Sequence, residues 1–334
     1  MFFRGKNSRH ARPRRLPRAA AVGLALALAT VTATPSALAG SVAGDADSVP
    51  AETYPVGGLS TAVHNMLYSP NAVAGANDWD CEPSPEHPEP VVLVPATLSN
   101  MGGNWAALSP MLANAGYCVY SFNYGMNGLS LGRFGGLTDI SGSARTMSEF
   151  VDRVLAATGA EKVDVVGHSQ GGMMPHYYVK RLGGADTVDD FVALAPSNHG
   201  TTSAGLLHLR DFIDPFGIID VLLTRLDLAG LAQQAEGSRF QTALFGDGDT
   251  VPGPHYTVIQ TRNDKVVTPY TNAFLDAEPG TEVTNILLQD QCPNDPVGHM
   301  GLFLDGPALQ HVINALGDGP ADFRPSCTDY GPRF

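Results

Sequence analysis

Val163-Asp-Val-Val-Gly-His-Ser-Gln-Gly-Gly172 is the stretch that decides the fold. Val163, Val165 and Val166 form a short β-branched run that reads as a buried strand. Gly167-His168-Ser169-Gln170-Gly171 then fits G-x-S-x-G, and residues 172–181 can continue as a helix. The spacing has a steric cause. A serine on a sharp strand-to-helix turn holds a strained backbone, and side chains two residues to either side would collide, so both flanks are glycine. The hydroxyl then projects from the top of the sheet, where the helix N-terminus beneath it favours developing negative charge. In a chain with 37 glycines the five-residue pattern alone is weak. The apolar run before it and the helix-compatible run after it make it a nucleophile turn.

Outward from this turn, strands and helices alternate. Strands are expected at 90–95, which reads as buried, and at 117–122, 188–194, 256–260 and 282–288. A helix capped by Asn104 is expected to run to about Ala115. A second carries the stripe Ile140, Ala144, Met147, Val151 and Val154, capped by Asp139 or Ser141, and a last one runs from about His299 to Leu316. Residues 69–90 read as loop, and 40–56 and 318–334 as loose or wrapping ends. The alternation implies an α/β fold with a mostly parallel central sheet flanked by helices. Ligands on such a sheet bind beyond the carboxyl ends of its strands, where Ser169 stands.

A serine hydroxyl is a poor nucleophile until a histidine takes its proton, and that imidazole needs a carboxylate to fix its tautomer. On such a strand–turn–helix site the acid and then the histidine follow the serine in the chain. Asp264 lies just past the strand 256–260, at the end facing the nucleophile, whereas Asp247 and Asp249 precede that strand. His299 follows the strand 282–288 in Val297-Gly298-His299-Met300-Gly301, where Gly298 permits a close backbone approach. His311 falls mid-helix, His168 is expected to pack beside the serine, and His176, His199, His208 and His255 precede the acid. Ser169, Asp264 and His299 are therefore the expected catalytic set. Two N–H donors must face the tetrahedral oxygen, and Thr97 and Gln170 are best placed to supply them.

Residues 1–39 read as an export signal. Arg4, Lys6, Arg9, Arg12, Arg14, Arg15 and Arg18 precede an apolar run from Ala19 to Ala33, and Ala37-Leu38-Ala39 is a small-x-small cleavage site. That run is too short to span a bilayer as a helix, and no later stretch is longer, so no transmembrane segment is expected. Removing the segment leaves 13 basic against 33 acidic residues, a formal charge of −20, which disfavours nucleic acid and anionic membrane surfaces as partners. The remaining 295 residues suit one large α/β domain. In an exported chain Cys81, Cys118, Cys292 and Cys327 imply two disulfides with three connectivities, of which the unnested Cys81–Cys118 and Cys292–Cys327 is expected. There is no C-x-x-C, no EF-hand loop and no dinucleotide fingerprint, so neither metal nor cofactor is expected.

With these residues in place the chain resembles the secreted bacterial class 2 lipases and esterases of the α/β-hydrolase superfamily. The resemblance covers about residues 51–315. It rests on Val91-Val-Leu-Val-Pro-Ala-Thr97 with Gly102-Gly-Asn-Trp105, on Ser121-Phe-Asn-Tyr-Gly125, and on the serine turn. Downstream it continues through Asp249-Thr-Val-Pro-Gly253, Asp264-Lys-Val-Val-Thr-Pro269 and Leu288-Gln-Asp-Gln-Cys-Pro293 with His299. It implies the same triad and the same oxyanion donors. Where the family usually has His-Gly, this chain has Pro95-Ala96.

Residues 200–246 depart from the alternation and read as a helical insertion. Phe212, Ile213, Phe216, Ile218, Ile219, Val221, Leu222, Leu223, Leu226, Leu228 and Leu231 exceed the single apolar stripe that a surface helix needs. The surplus suits an acyl-binding wall or a lid. The expectation is a secreted, monomeric ester hydrolase acting on lipid or ester substrates at an oil–water interface. An acyltransferase or polyester hydrolase with the same triad, and a non-catalytic binding protein on this fold, are the competing readings.

Overall fold

The computed structural model describes residues 53–128, 130–206 and 228–334. The expected export signal, residues 1–39, and residues Phe212 to Leu226 of the expected acyl wall lie outside the described residues.

The elements follow in chain order. Helix α1 spans Leu59–Tyr68 and strand β1 Val91–Val94. Helices α2 (Met101–Asn104) and α3 (Leu108–Asn114) lead to β2 (Val119–Ser121) and α4 (Ile140–Thr158). Strand β3 (Val163–His168) is followed by α5 (Gln170–Met173), α6 (Pro175–Arg181) and β4 (Val188–Leu194). Helices α7 (Ala229–Gln233) and α8 (Arg239–Phe245) close the insertion, before β5 (His255–Gln260), β6 (Glu282–Leu287) and α9 (Leu288–Gln291). A 3-10 turn at His299–Leu304 leads into α10, Gly306–Leu316.

The six strands form one parallel sheet in the order β2-β1-β3-β4-β5-β6. Because side chains alternate across a strand, each contributes to two cores. Val92, Val94, Val163 and Val165 face one side, against Ile140, Ala144, Met147, Val151 and Val154 of α4. Val91, Leu93 and Val166 face the other, against Leu108 and Leu112 of α3 and Leu309 and Val312 of α10. All five members of the α4 stripe are fully buried, as their spacing predicts. Burying side chains of this size contributes about 1.5–3 kcal/mol each. Asp139 caps α4 by accepting from Gly142 N–H at 2.8 Å, and Gly159 ends it in the left-handed conformation at φ 71°.

Both disulfides form in the unnested pairing, Cys81–Cys118 and Cys292–Cys327. The first ties the loop before β1 to β2. The second ties the chain end to the loop that leads to His299.

Several boundaries differ from the sequence reading, each for a local reason. The cap of the first core helix is Asn100, whose Oδ1 accepts from Gly103 N–H at 2.9 Å. Asn104 instead turns into the core. The helix after the serine is broken into α5 and α6, with Pro175 as the first residue of the second. The helix expected from His299 starts properly at Gly306, because Asp305 accepts from Ala308 N–H at 2.9 Å and caps it there. Helix α1 had no counterpart in the sequence reading. The tail wraps rather than hangs loose: Gly298 N–H donates to Pro332 O at 3.1 Å, Met300 N–H to Phe334 O at 2.8 Å and Gly306 N–H to Asp329 O at 2.9 Å.

Candidate active site

The serine turn stands at the carboxyl end of β3. Val94 pairs with Gly167, and His168 with Leu194, so the turn emerges between β1 and β4. Ser169 holds φ 57° and ψ −121°, a left-handed conformation that costs a non-glycine residue of order 1–3 kcal/mol. Its N–H still donates to Leu194 O at 2.9 Å, so the strand ladder continues into the strained residue. The flanking glycines have the predicted steric cause. A Cβ on Gly167 would fall on the carbonyl of Gly171, and one on Gly171 would fall on Val94 O and lie 2.5 Å from Pro95 O. Gly171→Ala is therefore expected to lower stability by about 3 kcal/mol, since backbone rather than a flexible side chain fills the space. A drop in the urea midpoint checks it; an unchanged midpoint contradicts the packing described.

Asp264 and His299 meet directly. His299 Nδ1 lies 2.8 Å from Asp264 Oδ2, and both residues are buried. The other carboxylate oxygen, Oδ1, accepts from Val266 N–H and Val267 N–H, each at 2.8 Å. All of the acid's orientation is thus fixed by the loop that follows β5. That loop is stitched to the histidine loop by Thr261 Oγ1, which donates to Val297 O at 2.7 Å, and by Asn263 Nδ2, which donates to Asp295 O at 3.2 Å. Gln289 binds both sides, donating from Nε2 to Thr261 Oγ1 at 2.9 Å and to Asp295 O at 3.2 Å. Gly298 is extended rather than left-handed, so its use is proximity: a Cβ there would lie 2.7 Å from Arg333 O. His299 Nε2 is buried and has no hydrogen-bond partner among the described residues, Ser169 Oγ included.

Thr97 and Gln170 converge on Gly136. A Cβ on that residue, at φ 69°, would lie 2.9 Å from Thr97 Cα and 3.0 Å from Gln170 Oε1. Among the described residues the N–H groups of Thr97 and Gln170 donate to no acceptor. The loop reaches this position without the usual glycine. Leu98 carries the left-handed backbone at φ 62°, Ala96 N–H donates to Asn104 Oδ1 at 3.1 Å, and Tyr124 Oη donates to Pro95 O at 2.7 Å. Burial pushes the Tyr124 phenol far above its ordinary range, so that donor is permanent.

Sequence reasoning missed Gln234, what the Gln170 side chain bonds and what the His168 ring faces. Gln234, at the end of the insertion, donates from Nε2 to Thr97 Oγ1 at 3.1 Å and accepts from Ser197 Oγ at 3.0 Å. Gln170 Nε2 donates to Gly136 O at 3.0 Å and, more weakly, to Gly230 O at 3.5 Å. His168 does more than pack: its ring nitrogens face Asn104 and His299. Only the proximity of Gln234 to an apolar run marked it in the sequence, and no spacing rule links residues 137 apart.

A second histidine–carboxylate pair, His199 Nε2 with Asp249 Oδ1 at 2.9 Å, has a different character. His199 Nδ1 is taken by Asn272 O at 3.1 Å, so both ring nitrogens are held by fixed acceptors and neither is left to face a nucleophile. Asp249 beside it raises the His199 pKa, as expected of a structural ion pair. Among the described residues no group of three or more His, Cys, Asp or Glu side chains has the arrangement to hold a metal ion, and no helix is long and apolar enough to cross a membrane.

Residues 88–206 match the family described as Lipase (class 2). Among solved structures the chain is similar to Aspergillus fumigatus lipase B, with 23% identity over 70% of this chain and a TM-score of 0.55; it spans 53% of that lipase's length. It is also similar to a soluble variant of the Saccharomyces cerevisiae monoglyceride lipase, with 13% identity over 70% of this chain and 86% of that one, at a TM-score of 0.49. A Bacillus licheniformis lipase in its mature form shares 15% identity over 62% of this chain and 86% of its own, at a TM-score of 0.45.

Proposed function

We propose that this chain, whose residues 88–206 match the class 2 lipase family, is an exported serine ester hydrolase that cleaves apolar acyl esters, triacylglycerols among them. One observation carries the reading. His299 is fixed through Nδ1 to a buried carboxylate while its Nε2 is buried and unpartnered among the described residues, on the strand-end surface that presents Ser169. A buried imidazole nitrogen without a partner is costly unless a substrate-bearing state uses it.

Ser169 Oγ attacks the ester carbonyl as His299 Nε2 takes its proton. The carbonyl electron pair moves onto oxygen, which the N–H groups of Thr97 and Gln170 receive. Collapse breaks the bond to the alcohol, which leaves with the proton from His299. Water then attacks the acyl-enzyme, again deprotonated by His299, and the acid departs as Ser169 recovers its proton. Asp264 stays ionised throughout and holds the Nδ1–H tautomer. The two disulfides and the basic, then apolar, N-terminal segment favour an oxidising compartment outside the cytoplasm. The apolar surplus of residues 212–226 favours a long acyl chain.

A series of p-nitrophenyl esters of rising acyl length, with triolein and a polyester film, tests the assignment. Turnover that rises with acyl length, with fatty acid released from triolein, is expected. Activity on the film but not on triolein moves the substrate to a polymer; inactivity on all three contradicts the reading.

A further inference from the structure

Each ring nitrogen of His168 faces a carbonyl oxygen. Nδ1 stands 3.2 Å from Asn104 Oδ1, and Nε2 stands 3.1 Å from the backbone oxygen of His299. The ring is fully buried. Burial, with His299 beside it, holds its pKa down to about 3, so at neutral pH it has one proton for two acceptors.

Asn104 completes the arrangement. Its Oδ1 also accepts from Ala96 N–H at 3.1 Å, and its Nδ2 is buried without a partner among the described residues. With Oδ1 toward the ring, the amide accepts from His168 Nδ1–H and leaves Nε2 facing His299 O with no proton between them. Turned over, the amide donates to Nδ1 and frees the ring proton for His299 O, at the expense of the Ala96 bond. The His168 tautomer and the Asn104 amide orientation are therefore one variable, not two.

The ends of this chain of contacts lie where the chemistry needs them. Ala96 precedes the oxyanion donor Thr97, and His299 is the base. We propose that His168 and Asn104 form a positioning pair that sets the oxyanion loop and the base loop relative to each other across the nucleophile turn. Neither touches substrate; they act through Ala96 N–H and His299 O. The proposal rests on the assignment of Ser169 and His299 made above. It differs from simple packing in one respect. A glutamine at 168 that can donate to His299 O restores activity that a leucine of similar bulk does not, whereas packing alone would treat the two alike.

The test compares the parent enzyme with His168→Leu, Asn104→Leu, the double variant and His168→Gln. For each, kcat and KM on p-nitrophenyl butyrate, the rate and stoichiometry of serine-reactive phosphonate labelling, and Tm are measured. Each leucine variant is expected to lose about 100-fold in kcat, the size of effect a misplacement near 1 Å produces. KM stays within about twofold and labelling reaches one equivalent, more slowly. The double variant loses no more than the worse single one. His168→Gln, whose amide can donate to His299 O, recovers about tenfold over His168→Leu. If His168→Leu does not fold, the same cycle is run with His168→Gln and Asn104→Leu. Turnover within threefold of the parent in the single variants, or losses that multiply in the double, overturns the positioning role alone. A parent that neither turns over esters nor takes the label overturns the ester-hydrolase reading, and the pair with it.

Discussion

Ser169→Ala is expected to lower kcat on p-nitrophenyl esters by about 10⁶-fold while the protein stays folded. The size follows from the mechanism: without Oγ no acyl-enzyme forms, and only direct attack by water remains, aided by the oxyanion donors. The folded state should tolerate the change. Alanine meets the same backbone strain at φ 57° as serine, and it removes only a hydroxyl with which His299 Nε2 makes no hydrogen bond among the described residues. Tm near the parent value with turnover at background checks it. A variant within tenfold of the parent would mean that another residue is the nucleophile.

Asp264→Asn carries the second largest effect, and its direction is set by two backbone donors. Val266 N–H and Val267 N–H both point at Oδ1, so the asparagine must keep its carbonyl oxygen there. Its NH₂ then faces His299 Nδ1 in place of Oδ2. A donor at that position forces Nδ1 to accept, which places the imidazole proton on Nε2, where it blocks removal of the serine proton. A loss of about 10⁴-fold in kcat is expected, as for a wrong-tautomer triad with its geometry intact. The check is kcat with KM and Tm measured alongside. A loss below about tenfold would show that the carboxylate does not set the tautomer.

The central strands of the sheet were legible in the sequence because they are buried on both faces. Such strands read as near-continuous apolar runs, and Val91–Val94 and Val163–Val166 could be placed to within a residue. Asp264 and His299 were legible for a related reason. Each follows a strand at its carboxyl end, the edge where the serine turn also stands. The α4 stripe and its Asp139 cap were legible because one face of that helix, and only one, meets the sheet.

What sequence missed was decided by partners far along the chain. Asn100 and Asn104 both precede apolar helical residues, and local preference does not distinguish them. Asn100 caps because its amide also reaches Met66 O and Arg133 O, while Asn104 is drawn inward by Ala96 and His168. Helix α1 lacks the usual marks: no charged residue, no side-chain cap, and an outward face carrying Leu59, Val63 and Leu67, each at least 40% exposed. Its pattern therefore reads opposite to that of a helix with a buried stripe. His168 was expected to pack because a motif position beside a nucleophile says nothing about a carbonyl 131 residues away.

The proposed mechanism requires Ser169 to be the residue that bonds to substrate carbon. The most direct measurement is reaction of the native protein with a p-nitrophenyl alkylphosphonate, followed by peptide mapping with mass spectrometry. One equivalent of phosphonyl adduct on Ser169, with turnover lost in step and no adduct formed by His299→Ala, is the predicted result. An adduct on a different residue, or full ester turnover with Ser169 unmodified, would contradict it.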